Sequence, residues 1–194
     1  MALANVAELF FQAGLRVLAV DFDLEAPGLD RFLARDDSKR DDSKRDDSKK
    51  ILDQEGVVDM LLQYKSNMSR SSVVDADGKE FMPHEPLEHY TVDLTPQPSE
   101  RGRLWLLPAG RRSDGRFASY VDAVLRFNWR EFYKEWEGEL YFEWLRKQFL
   151  TMADVVLIDS RTGVTEMGGV CTYQFADVVV MFCSTSDPVP RRNL

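Results

Sequence analysis

Between Ala2 and Ala13 the apolar residues Leu3, Val6, Ala7, Phe10 and Phe11 recur at three- and four-residue spacing, and Gly14 follows where a helix stop belongs. The pattern predicts a helix. Residues 17–20 (VLAV) then form an apolar run too short for a second helix, and it ends in Asp21-Phe22-Asp23, as a strand buried on both faces does. Residues 155–158 (VVLI) before Asp159 and residues 178–182 (VVVMF) before Cys183-Ser184-Thr185 repeat that form. Residues 104–107 (LWLL), stopped by Pro108-Ala109-Gly110, make a fourth predicted strand. Helical periodicity returns over residues 57–64, 120–133 and 140–150. Short apolar strands alternating with helices predict an α/β fold, its central sheet mostly parallel and covered by helices on both faces.

Two stretches depart from this alternation. Residues 35–49 read RDDSK three times, a neutral and wholly polar repeat whose side chains offer nothing to a core, so an insert that is disordered, or at best a charged helical extension, is expected. Residues 66–103 mix Pro, Ser, Asp-Gly and scattered charge, and are expected to run outside the central sheet. The 194 residues, 44% hydrophobic, suffice for one domain spanning 1–194.

Composition narrows the function classes. A formal net charge of -8 excludes a globally basic surface for nucleic acid or anionic membrane and leaves a local basic patch open. Cys171 and Cys183 form neither a C-x-x-C pair nor a disulfide framework, and are expected to be reduced, buried thiols. With no basic leader and no bilayer-length apolar run, the expected location is the cytoplasm.

The chemistry-bearing residues gather at predicted strand ends, where open parallel sheets bind ligands. Asp21 and Asp23 fall on one side of an extended segment because side chains alternate, a pairing that suits a magnesium-bound phosphate site or, equally, caps the turn at residues 28–33. Asp159 after four apolar residues has the form of a Walker B strand end, and Asp159-Ser160-Arg161-Thr162-Gly163 supplies a polar, glycine-containing loop beyond it. His84 and His89 do not have the spacing of a helical zinc pair and belong to a loop. The aromatic stretch from Phe127 to Phe149 is expected to pack inward, and Arg191-Arg192 to be solvated. No G-x-G-x-x-G supports dinucleotide binding.

Several blocks, in order, resemble ParA/MinD-like P-loop ATPases of the deviant Walker A type. ALANVAELFFQAGLRVLAVDFDLEAPGL resembles their first helix, second strand and D-x-D switch; DVVLIDSRTG resembles the Walker B strand and second switch; ADVVV resembles the strand after it. The LPAG stop also recurs in the group, and DFDLEAPGL with DSRTG resembles a branch found in large bacterial multidomain ATPases. The resemblance implies ATP and magnesium as ligands, hydrolysis coupled to a switch, and a homodimer around nucleotide. It assigns water orientation to Asp23, the magnesium and switch region to Asp21, the metal's water shell to Asp159, and approach to the γ-phosphate to Thr162 and Gly163. The family's Walker A loop would precede Ala2, yet no G-x-x-x-x-G-K-[ST] occurs in the sequence, and Asn193-Leu194 comes soon after the last predicted strand, so the resemblance implies a domain incomplete at both ends and no ATP hydrolysis without that loop.

Two other classes compete: a non-catalytic scaffold that keeps the fold without the loop, and a phosphoacceptor receiver domain. The receiver reading is weaker, because Asp21 and Asp159 stand much farther apart than one or two βα units require and no lysine follows Thr185 at the next strand end.

Overall fold

The computed structural model describes residues 2–34, 44–70, 85–96, 101–160 and 169–182. Helix α1 (Ala2–Gln12) closes on Gly14, whose φ of 87° is the left-handed geometry that glycine adopts at low cost, with its N–H donating to the Phe11 carbonyl. The chain turns directly into strand β1 (Arg16–Asp21), so α1 runs antiparallel to β1 and begins at the end where β1 finishes.

Four strands form one sheet in the order β2-β3-β1-β4, with β2 (Val92–Asp93), β3 (Arg103–Leu107) and β4 (Val155–Asp159). β1 pairs in parallel with both β3 and β4, and β2 adds an antiparallel edge, placing Val92 opposite Leu106. The fold is thus α/β around a mostly parallel sheet. β1 is buried on both faces. Val17 and Ala19 pack on one side with Ala4 and Ala7 of α1, while Leu18 and Val20 pack on the other with Phe142 and Leu145 of α7 (Gly138–Met152). At its N-terminal end Arg16 is pinned to Asp154, the guanidinium standing 2.7 Å from the carboxylate and each backbone N–H donating to the other residue, both at 2.9 Å.

Helix α4 (Val57–Arg70) docks end-on against the stop after β3. Its first amides, those of Val57 and Val58, donate to the Pro108 and Ala109 carbonyls, which satisfies groups that a helix start otherwise leaves unpaired. Asp59 Oδ2 accepts from the Gly56 and Arg111 amides and clamps the junction.

The structure departs from the sequence expectations in three places. Residues 178–182 form no strand; each is between 55% and 81% exposed, and β4 is the edge of the sheet among the described residues. Of the stretch 66–103, residues 71–84 and 97–100 lie outside the described residues, but part of the rest does not stay outside: Leu87 and Tyr90 of a 3-10 turn (Leu87–Tyr90) enter the core, and β2 joins the sheet. The single helix expected over 120–133 is two, α5 (Phe117–Arg126) and α6 (Trp129–Glu135), because Asn128 accepts from the Glu131 amide and starts a new helix. In the repeat, residues 44–49 take the expected helical alternative, as part of helix α3 (Lys44–Asp53), anchored by buried Ile51, whereas 35–43 lie outside the described residues.

Other expectations hold. Phe132, Tyr141, Phe142 and Phe149 are core residues, and Cys171, in a π-helical turn (Val170–Phe175), is buried with its thiol pushed up to about 12 by burial. No helix among the described residues is long and apolar enough to cross a membrane.

Candidate functional site at the carboxyl edge of the sheet

Parallel pairing brings the acidic strand ends together. Asp21 closes β1 directly opposite Asp159, which closes β4, and the Phe22 amide extends the ladder to the Asp159 carbonyl at 2.8 Å. Between Asp21 and Asp23 the Phe22 ring drops into the core against Phe142 and Phe175, so the two aspartates flank an anchored aromatic.

Asp21 is fully buried, and its Oδ2 accepts from the Gly28 and Leu29 amides, both at 3.1 Å. This carboxylate holds the loop that leads into α2 (Asp30–Leu33), the turn-capping role that an acidic strand end can equally serve. Its Oδ1 is buried without a hydrogen-bond partner. Burial raises the Asp21 carboxyl to about 6 against the pull of the Leu29 amide and the Arg112 charge, and the Asp159 charge adds to the rise. Asp23 is half-buried and shapes its own turn, Oδ1 and the backbone carbonyl both facing the Ala26 amide. Asp159 is half-buried too; burial raises its pKa, and the negative charge of Asp23 raises it further. Thr162, Gly163, Ser184, Thr185, Cys183, His84 and Arg191-Arg192 lie outside the described residues. His89 is exposed, its Nε2 3.3 Å from Glu55 Oε2.

Sequence reasoning passed over two residues that the fold draws to this edge. Arg112 is one, its side chain only 7% exposed, its charge acting on Asp21 and its Nη2 3.4 Å from Asp30 Oδ1. Tyr120 is the other, its hydroxyl donating to the Leu24 carbonyl at 2.7 Å. Arg111-Arg112 follow the Pro108-Ala109-Gly110 stop, so their place at a strand's carboxyl end was a usable signal.

Carboxylate oxygens are the donors that a hard cation takes, and magnesium is commonly held by one or two carboxylates together with phosphate oxygens and water. Asp23 and Asp159 fit that donor chemistry. Asp21 fits it poorly, because its accessible bonding is spent on the loop. Among the described residues no group of three or more His, Cys, Asp or Glu could hold a metal on protein ligands alone. The α1 start, antiparallel to β1, lies at this same edge and offers unpaired amides and the positive end of a helix dipole. No protein-family model, curated protein or solved structure matches the chain.

Proposed function

We propose that this chain carries the magnesium- and water-handling edge of a ParA/MinD-like ATPase domain, which hydrolyses ATP as a nucleotide-dependent switch and dimerises around nucleotide once a Gly-rich phosphate loop is joined ahead of α1. The observation that carries the reading is the meeting of Asp21 and Asp159 on the last paired position of neighbouring parallel strands, at the edge where α1 begins. Magnesium held there would neutralise charge that develops on the transferring phosphoryl group. Asp159 would hold the metal's water shell, and Asp23 would orient the attacking water. Asp21 is a positioning residue that fixes the Gly28-Leu29 loop. Thr162 and Gly163 would approach the γ-phosphate, as the resemblance implies.

A non-catalytic scaffold is the second reading, favoured by the commitment of Asp21 to the loop. Calorimetry and turnover measurements separate the two. The chain as it stands should show no magnesium-dependent hydrolysis above background. With a Gly-rich loop ending in Lys-Thr placed before Met1, ATP should bind; Asp159→Ala should weaken both binding and turnover, whereas Asp23→Ala should keep binding and lower turnover by about a hundredfold or more. Continued failure to bind ATP would leave the scaffold, and phosphorylation of Asp159 by acetyl phosphate would point to a receiver.

A further inference from the structure

Beside the carboxylate edge lies a cavity of about 580 Å3, a size usual for small-molecule sites. Ile51 at the end of α3 and Phe117, Val121, Val124 and Leu125 along α5 supply apolar walls. Phe117 and Leu125 are 60% and 76% exposed, so large apolar surface at this cavity still meets water. Among the described residues, the charged ones that line it are Glu25, Asp30, Arg31 and Arg112, two of each sign.

One pair among them is unusual. Arg112 and Asp30 are buried, 7% and 11% exposed, yet they approach only to 3.4 Å, and neither Arg112 Nη2 nor Asp30 Oδ1 makes a hydrogen bond. Arg112 Nε donates to the Gly110 carbonyl, which fixes the side chain and leaves Nη2 without a hydrogen bond. A buried ion pair is costly unless its remaining hydrogen-bonding positions are filled. A donor beside an acceptor complements a head group that is itself uncharged and offers an acceptor beside a donor.

We infer that this cavity binds an uncharged amphipathic molecule with a carboxamide-type head, its C=O accepting from Arg112, its NH2 donating to Asp30, and its apolar body lying along α5. The site adjoins the carboxylate edge, with which it shares Arg112 and Tyr120, and needs no nucleotide.

The test uses the full chain and three probes that share one apolar body: 4-phenylbutanamide, 4-phenylbutanoate and 4-phenylbutylammonium, titrated by 1H–15N NMR without nucleotide. The amide should shift resonances within residues 24–31 and 112–125 and bind about tenfold more tightly than either charged probe, the difference that one or two hydrogen bonds to charged groups make. Val124→Trp should weaken all three probes by filling the cavity. Arg112→Met alone would leave Asp30 buried and unpaired, so the decisive variant is Arg112→Met with Asp30→Leu, which replaces the pair by apolar groups of similar bulk. In that protein the preference for the amide should fall within about twofold, because the complementary donor and acceptor are gone. Shifts outside the cavity, equal or tighter binding of a charged probe, or an amide preference that survives the double substitution would each overturn the assignment. Because no nucleotide is present, none of these outcomes bears on the ATPase reading.

Discussion

Asp21 and Asp159 face each other across the final rung of two parallel strands, one carboxylate fully buried and the other half-buried. The buried one titrates near 6 in the fold, against the usual 3.8 that it regains on unfolding. Between those values the folded chain keeps a proton that the unfolded chain has lost, so stability falls as pH rises from about 4 to about 6 and stays lower above that window. The loss amounts to about 3 kcal/mol, from roughly two pKa units at 1.36 kcal/mol each.

Asp21→Asn keeps an oxygen for the Gly28 and Leu29 amides and removes the charge. In urea unfolding at pH 7.5 the variant should be more stable than the parent by up to about 3 kcal/mol, and the gap should close toward pH 4. Equal stability at pH 7.5 would show that Asp21 ionises in the fold at no cost.

The junction between α4 and β3 leaves no room at Gly56. A methyl group there would stand 2.0 Å from the Pro108 carbonyl oxygen, so Gly56→Ala must push the helix start off the strand end and break the Val57 and Val58 hydrogen bonds. A cost of about 3 kcal/mol or more is expected, from overpacking and lost backbone bonds together. An unfolding midpoint within error of the parent would mean that α4 is not seated as described.

Asn128 separates α5 from α6 through a single side-chain bond of 3.0 Å to the Glu131 amide. Asn128→Ala should cost about 1 kcal/mol in chemical denaturation, and Asn128→Asp should restore most of it. Indifference to both substitutions would show that Phe127 and Trp129, packed against each other at 4.7 Å between ring centroids, fix the bend without the cap.

The elements legible in the sequence were those whose apolar pattern is dictated by burial on two faces or by one long helical stripe: β1, β3, β4, α1, α4 and α7. Residues 178–182 carry the same pattern as β1, yet a run of valines states only that a segment suits a strand; pairing depends on a neighbour distant in sequence. The two-residue β2 is too short to leave a period, and the break at Asn128 hides inside continuous helical spacing. At the site, Asp21, Asp23 and Asp159 were visible as strand ends. That Asp21 turns its carboxylate to the loop, and that Arg112 is buried against Asp30, follow from long-range packing that no local spacing encodes.

Residues 178–182, five apolar side chains in a row with neither charge nor proline among them, lie open to solvent, and among the described residues the sheet ends at β4 without a further neighbour. Such a segment is an adhesive, and an open strand edge is a template. Concentrating the protein therefore invites copies to stack edge to edge into cross-β aggregates, and its shelf life in solution is governed by five residues that directly follow Asp177, the ion-pair partner of Arg146 on α7. A single lysine at Val180 would act as a gatekeeper against that association.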